Sequence, residues 1–433
     1  MATNSDLSDS ELSEQEREAL EQAIAGKISL RRLDELVGKD AAVRVRRAAL
    51  EAKITEGKGR NGRRTSTGSL DAIGGIVLDA GSCDANIEAM IGQVTVPIGV
   101  AGPLTVKGKD MASSCHIPLA TTEGALVASV NRGCKTIEKS GGATVTVFQE
   151  CQTRSLLFTL PSAREAHAFF NWVDLHRQML FREAHHTSKH LSMSSIQPVV
   201  VGRNVWLRLH ATTGDAMGMN MITVAGKRLG KVVSEQYPAA VFISESGNMC
   251  VDKKPSAMNL INGRGRSVVA EAIVGKRVIH DVLGSTPEAL VDMNNRKNLL
   301  GSAASGSLGF NAQAANVIAA VFLATGQDIA HVVEGSQAIT TIEAKGDGIH
   351  AAITIPSLQV GTVGGGTVLP AQHSCLDIIG VAGGSRSPGK HARRLAEVIA
   401  AACLAGELSL LASLSDISLS SSHERLNRPG GED

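Results

Sequence analysis

The chain has 433 residues, long enough for two or three domains and a large core. Its 43 lysines and arginines offset 42 aspartates and glutamates, and aromatics make up only 3%. That balance provides no field for nucleic acid or an acidic membrane surface, and too few rings for base-stacking platforms. Seven cysteines, at 83, 115, 134, 151, 250, 375 and 403, never form a Cys-x-x-Cys pair. This suits a reducing compartment and argues against both a disulfide framework and a zinc ribbon. The start, Met1 to Gln22, is too polar and acidic for a signal peptide. No apolar run approaches the roughly 18 residues of a membrane span, so a cytoplasmic protein is expected.

Residues 1–58 read as short helices. Ser13 with Glu16 spells a capping box, Leu20, Ile24, Leu30, Leu33 and Leu36 give a broken helical period, and Gly26 and Gly38 are stop signals. From Gly57 to Gly68 the chain is basic and glycine-rich, as linkers are. Ile87 to Val106 has β character, with Val94, Val96, Ile98 and Val100 alternating before Gly102-Pro103 turns the chain. Thr121 or Thr122 can cap a helix whose Leu126, Val130, Cys134 and Ile137 form one apolar stripe. Gly124, Ala128, Asn131, Arg132 and Lys135 fall on another face, either a phosphate-accepting surface or a plain solvated one.

Between Arg154 and Ser244 the order is strand (154–160), long helix (162–185), two strands about a Gly202-Arg203 turn, a second helix (216–237) and a last strand (239–244). The sequence βαββαβ is the ferredoxin-like arrangement, a small domain set inside a larger one. Asp215 is placed to cap its second helix, and Gly218 would admit a ligand to backbone donors there. His185, His186 and His190 cluster near Glu183 without a His-Glu-x-x-His signature, so no metal is expected.

Val268 to Leu283 is predicted to be helical, and Asn311 to Val333 to be a core helix apolar on nearly all sides, interrupted by Gly326-Gln327-Asp328. A carboxylate in so apolar a stretch is costly unless paired, and burial would push its pKa up. Asp328 is therefore a site candidate, with structural ion pairing as the alternative. Val360 to Thr367 is a glycine-rich loop, yet no Gly-x-Gly-x-x-Gly follows a strand and opens a helix. Ala392 to Ser413 is a final apolar helix, followed by a serine-rich tail with one histidine, His423.

The fold expected is α+β, a large mixed helical and β domain with a buried central helix and an inserted ferredoxin-like small domain. The divisions are an N-terminal helical segment (1–58), the large domain in two parts (59–153 and 246–414), the small domain (154–245) and a C-terminal flap (415–433). The two domains meet at Ser246 to Ser267, where Asp252, Lys253 and Lys254 stand side by side before Pro255, and glycines flank Arg264 and Arg266. Crowded charges beside apolar sequence make either a solvated turn or a loop that sets a lysine where negative charge develops on a reacting oxygen.

Several motifs occur in order: Glu88-Ala-Met-Ile-Gly with Pro97-Ile-Gly-Val-Ala-Gly-Pro, Ala120-Thr-Thr-Glu-Gly, Ser129-Val-Asn-Arg-Gly-Cys and Gly214-Asp-Ala-Met-Gly-Met-Asn-Met. The 246–267 loop, Gly326-Gln-Asp, Gly361-Thr-Val-Gly-Gly-Gly-Thr and Ala405-Gly-Glu-Leu-Ser-Leu continue the series. Over about residues 70–428 the chain thereby resembles the 3-hydroxy-3-methylglutaryl-CoA (HMG-CoA) reductase family, in its class I, NADPH-using form without a membrane anchor.

The resemblance implies two hydride transfers from NADPH that reduce HMG-CoA to mevalonate and release CoA, the committed step toward isoprenoids. Lys253 would stabilise the reacting oxyanion, Glu123 would donate a proton, Asp328 would tune both, and His423 would protonate the departing CoA thiolate. Arg154, Ser246, Asp252, Lys254, Lys297 and Asn316 match positions that hold the HMG portion, and Ser129, Asn131, Arg132 and Lys135 match the CoA segment. Asp215, Met217, Gly218, Met219, Asn220 and Met221 match the dinucleotide segment. Ser188 and Lys189 fall where the family grips the 2′-phosphate, which favours NADPH over NADH.

No metal is implied. Active sites shared between subunits of a homodimer or larger assembly are. Ala89 replaces the family's usual Asn, the approach to His423 is less basic than in relatives, and Pro429 stands where animal members carry a phosphorylatable serine. The alternatives are NADH-linked oxidation of mevalonate, which Lys189 argues against, and a silent CoA-binding relative, which would not need Glu123, Lys253, Asp328 and His423 together.

Overall fold

The computed structural model describes residues 12–56, 70, 73, 78, 83, 85–91 and 93–415. The N-terminal helices α1 (Glu14–Ile24), α2 (Leu33–Val37) and α3 (Lys39–Glu56) close a small core of their own from Ala19, Ala23, Leu33, Ala42, Val45 and Ala49. The capping box forms as its spacing predicts: the Ser13 hydroxyl accepts from the Glu16 N–H, and the Glu16 carboxylate accepts from the Ser13 N–H.

Among the described residues, nine strands make one branched sheet. They are β1 (Ile98–Lys107), β2 (Ala112–Ala120), β3 (Ala143–Thr159), β4 (Ser192–Val201), β5 (Asn204–Thr212), β6 (Val241–Ser244), β7 (Gly265–Val274), β8 (Ile339–Lys345) and β9 (Gly348–Leu358). The main path runs β2-β1-β3-β7-β9-β8. The first half of β3 pairs with β1 and β7, whereas its second half, from Gln152, pairs with β5 and β6. A strand expected at 154–160 is thus the end of a 17-residue strand shared by both halves of the molecule.

On the far side of β3 the order is β6-β3-β5-β4, all antiparallel. Helices α4 (Leu126–Lys139), α5 (Ala163–Leu175), α6 (Arg177–His185) and α7 (Met219–Gln236) follow in chain order, the last three packing on this second layer. The single helix expected over 162–185 breaks at His176. Its Nδ1 lies 2.8 Å from the Trp172 carbonyl and its ring stacks on Trp172.

Of the further helices, three position the site: α8 (Ala257–Asn262), α9 (Ala314–Thr325) and α10 (Lys390–Ser415). The central buried helix is α10, sheathed along almost its whole length from Ala392 to Ala412. It has the length and apolarity of a membrane span, but the protein core covers 78% of its most apolar stretch. Its closest neighbour is α4, whose Gly133 meets the α10 backbone so tightly that a Cβ would lie 1.8 Å from the Ala405 oxygen. Only glycine permits that approach.

Three expectations are corrected. The predicted helix over 268–283 begins as β7, because Val268, Ala270, Ala272 and Val274 alternate with more exposed neighbours between β3 and β9. Burial alternates with period two there, and the β-branched Val268, Val269, Ile273 and Val274 suit a strand. The interruption expected within 311–333 does occur at Gly326, which takes φ 68° after α9 ends at Thr325, and helical turns resume at Ile329. Gly102-Pro103 is an irregularity inside β1 rather than a turn. Finally, α4 starts at Leu126 behind Ala125 at φ 68°, so neither Thr121 nor Thr122 caps it.

Candidate active site

After β6 the chain crosses from the second layer to the large core, and the crossing is strained. Val251 and Lys253 hold φ 56° and 55°, which a β-branched or long side chain adopts only under constraint. The constraint is visible. The buried Asn259, in α8, donates to the carbonyls of Val251 and Lys254 at 3.0 and 3.2 Å, and the Lys253 N–H donates to Glu334 Oε1 at 3.3 Å.

So held, Lys253 Nζ lies 2.7 Å from Asp328 Oδ2. Asp328 stands just past α9 as the cap of the turn Ile329–His331, accepting the Ala330 N–H at 3.1 Å. Partial burial pulls the Asp328 carboxyl up, but the Lys253 hydrogen bond, the His331 ring and the Ala330 N–H together hold it below the usual carboxylate range. The upward shift expected from burial is therefore corrected: a paired carboxylate at the edge of the core is stabilised as the anion.

Beneath this pair lies a charged layer. Arg264, fully buried, reaches Glu334 Oε1 at 2.7 Å and Asp252 Oδ1 at 2.9 Å, and Arg154 approaches Asp252 at 4.0 Å. Asp252, His331 and Glu334 have metal-like spacing, yet Arg264 already places its positive charge among those donors. Lys254 turns back to the Asp252 carbonyl at 3.2 Å, and Ser246 lies exposed where the chain leaves β6. Of the clustered histidines, His185 accepts the Met193 N–H at 2.9 Å, a structural contact.

Glu123 lies elsewhere. Its carboxylate accepts the Asn316 amide at 3.1 Å, in the first turn of α9, whereas Asp328 follows the last. About 14 Å of helix separates the two groups, at 1.5 Å per residue. Glu123 and Asn316 open onto a cleft of about 1140 Å³ shared with Ser129, Asn131, Arg132 and Lys135. The opposite wall includes Arg31, Arg32 and Glu35 of the N-terminal helices, a contribution that no motif in the sequence marked. Arg132 is only partly available, since it donates to the Ser409 carbonyl and to the hydroxyls of Ser409 and Ser413 near the end of α10. Lys297 lines a second depression, of about 520 Å³, with Pro255 and Asn311.

The dinucleotide candidates form a third group. Asp215 does not cap α7. Its two oxygens accept from the Ser385 N–H and hydroxyl and from the His391 and Ala392 N–H groups, at 2.6 to 3.1 Å, so it caps α10 instead. Burial raises the Asp215 carboxyl, but these donors outweigh it and its pKa falls below the ordinary value. The glycine-rich loop lies against this segment: Thr362 N–H donates to the Asp215 carbonyl at 2.8 Å, and a Cβ on Gly361 would meet Met217 N at 2.4 Å. Gln152 holds the Met217 carbonyl at 2.8 Å, Met219 Sδ faces Arg264 at 2.8 Å, and Gly218 precedes α7 at φ 98°. Asn220 and Met221 begin α7. Ser188 and the exposed Lys189 lie between α6 and β4, and His423 falls outside the described residues.

Residues 42–428 match the family model described as hydroxymethylglutaryl-coenzyme A reductase. The 3-hydroxy-3-methylglutaryl-coenzyme A reductase of Aeropyrum pernix is 47% identical over 409 residues, covering 94% of each chain. That of Pyrococcus abyssi is 44% identical over 414 residues, covering 94% of this chain and 98% of its own. Among solved structures, the class II reductase of Streptococcus pneumoniae bound to NADPH superposes with a TM-score of 0.64 at 17% identity, over 84% of this chain and 86% of its own. That last likeness is one of fold.

Proposed function

Because the chain belongs to the hydroxymethylglutaryl-coenzyme A reductase family, and is thus an oxidoreductase, we propose that it reduces (S)-HMG-CoA to (R)-mevalonate and CoA with two NADPH, as a class I enzyme. The observation that carries this reading is the 2.7 Å contact of Lys253 with Asp328 on a strained loop between two layers. An ammonium fixed by a carboxylate and aimed from a rigid backbone is pre-oriented for negative charge that develops on a substrate oxygen. No reorganisation is then needed at the moment of reaction.

Lys253 stabilises the oxyanion of the thiohemiacetal and then the aldehyde oxygen, Glu123 supplies a proton, and Asp328 fixes Lys253. Arg154, Ser246, Asp252, Lys254 and Lys297 bind the HMG carboxylate and hydroxyl, with Asn316 beside Glu123. Ser129, Asn131, Arg132 and Lys135 take the CoA phosphates along the cleft, and His423 protonates the leaving thiolate from the C-terminal flap. The separation of Glu123 from Asp328 by the length of α9 supports a site completed by a second copy of the chain.

The residues present also fit NADPH. Lys189 is an exposed cation next to Ser188 in the chain, suited to a 2′-phosphate. When bound, NADPH supplies the hydride. The chain's own residues hold it, keep the reacting oxygen on Lys253 and exclude water.

The test is consumption of NADPH and of NADH with HMG-CoA. Lys253→Ala should lower kcat by about 100- to 1000-fold, the usual cost of one oxyanion donor. A parent protein that oxidises neither nucleotide would end the enzyme reading. Equal use of NADH would remove the role given to Lys189.

A further inference from the structure

Behind Lys253 and Asp328 lies a histidine with one ring nitrogen unaccounted for. His331 is fully buried. Its Nδ1 is 2.8 Å from Glu334 Oε1, and its Nε2 is 3.6 Å from Asp328 Oδ2, the oxygen that also receives Lys253. Glu334 is buried as well, and the same Oε1 accepts from Arg264 Nη1 and from the Lys253 N–H. Glu334 is thereby held as an acceptor, so His331 Nδ1 must carry a hydrogen.

A neutral ring would then turn a bare Nε2 toward a carboxylate oxygen, and Nε2 has no hydrogen-bond partner among the described residues. Two facing acceptors, one of them wholly buried, repel. A proton on Nε2 removes the conflict and makes the contact an ion pair.

We propose that His331 is a positioning residue of the reductase reaction, its ring carrying a proton on each nitrogen and ion-paired with Asp328 so that Asp328 stays locked on Lys253. The inference rests on the function proposed above. The groups facing His331 are Asp328 on its own turn, Glu334 on the following helix and Asp252 on the active loop at 3.8 Å; Lys253, Arg264 and Arg154 stand behind them. The carboxylates Asp252, Asp328 and Glu334 cancel the cations Lys253, Arg264 and Arg154. The second ring proton of His331 therefore leaves the cluster net positive, the sign that a developing oxyanion requires.

Two measurements test this. In ¹⁵N-histidine-labelled protein without substrate, both ring nitrogens of His331 should resonate as protonated near neutral pH, and Asp328→Asn should return Nε2 to the unprotonated range. A wild-type Nε2 that stays unprotonated across the pH range of activity overturns the proposal, whether or not any variant folds. In turnover, His331→Gln keeps a donor for Glu334 but cannot hold the second proton. It should lower kcat by about tenfold and leave KM for HMG-CoA within about twofold. A rise in KM as large as the fall in kcat, or an unchanged kcat with lowered stability, would mean a merely structural role. Absence of NADPH oxidation by the wild type would instead defeat the function reading, while the nitrogen spectrum still decides where the proton resides.

Discussion

At the scale of single residues, the site depends on backbone that its own residues resist. Val251 and Lys253 at positive φ each cost on the order of 1–3 kcal/mol, and the neighbours that hold them are few. Asn259 is the most exposed to test, because one buried amide secures both the Val251 and Lys254 carbonyls. Asn259→Ala should destabilise the fold by about 2 kcal/mol through two buried acceptors left unmade. It should also lower kcat by about tenfold to a hundredfold, since a displacement of roughly 1 Å in Lys253 is costly. Thermal unfolding and kcat measured on the same preparation check both; unchanged kcat with lowered stability would show that Lys253 does not need this loop geometry. Sequence reading identified Lys253 and Asp328, because charge beside glycine and proline is a local signal. It missed Asn259, His331 and Glu334, whose importance comes from what they touch.

At the scale of elements, Asp215 shows how a motif residue changes meaning in three dimensions. Its position before Gly218 suggested the cap of α7, yet its oxygens serve the N-terminal end of α10, far along the chain. The lowered pKa carries a sign. A carboxylate with a depressed folded pKa contributes stability above its unfolded pKa, and that stability is lost as pH falls through the folded value. Asp215→Asn should therefore cost about 1–2 kcal/mol near neutral pH, the usual worth of a cap at a helix dipole. The gap to wild type should close in acid, below the ordinary carboxylate range. Urea unfolding across pH measures it; a gap independent of pH would show that the charge does not matter.

The same scale explains the misread strand. Residues 268–274 are apolar enough for either period, and only their place between β3 and β9 makes them β7.

At the scale of the molecule, α9 keeps Glu123 and Asn316 at one end and Lys253 with Asp328 at the other. If two copies complete each site, mixing Lys253→Ala chains with Glu123→Gln chains should restore activity that neither has alone. With random exchange of a dimer, half the molecules are mixed and one of their two sites is intact, so about a quarter of wild-type activity is expected. Activity that stays absent after verified subunit exchange would place all the groups within one chain.

The sequence by itself determined the local features: the capping box at Ser13 and Glu16, the apolar stripe of α4, the Gly202-Arg203 hairpin and the charged loop at Lys253. Each depends on residues a few positions apart, where backbone preference and side-chain spacing act directly. The tertiary structure decided which strand continues through both layers, which helix Asp215 caps and that Arg132 binds the end of α10. It also put His331 behind Asp328. Those outcomes depend on groups distant in the chain competing for the same buried hydrogen bonds, and only the packed fold determines the partners.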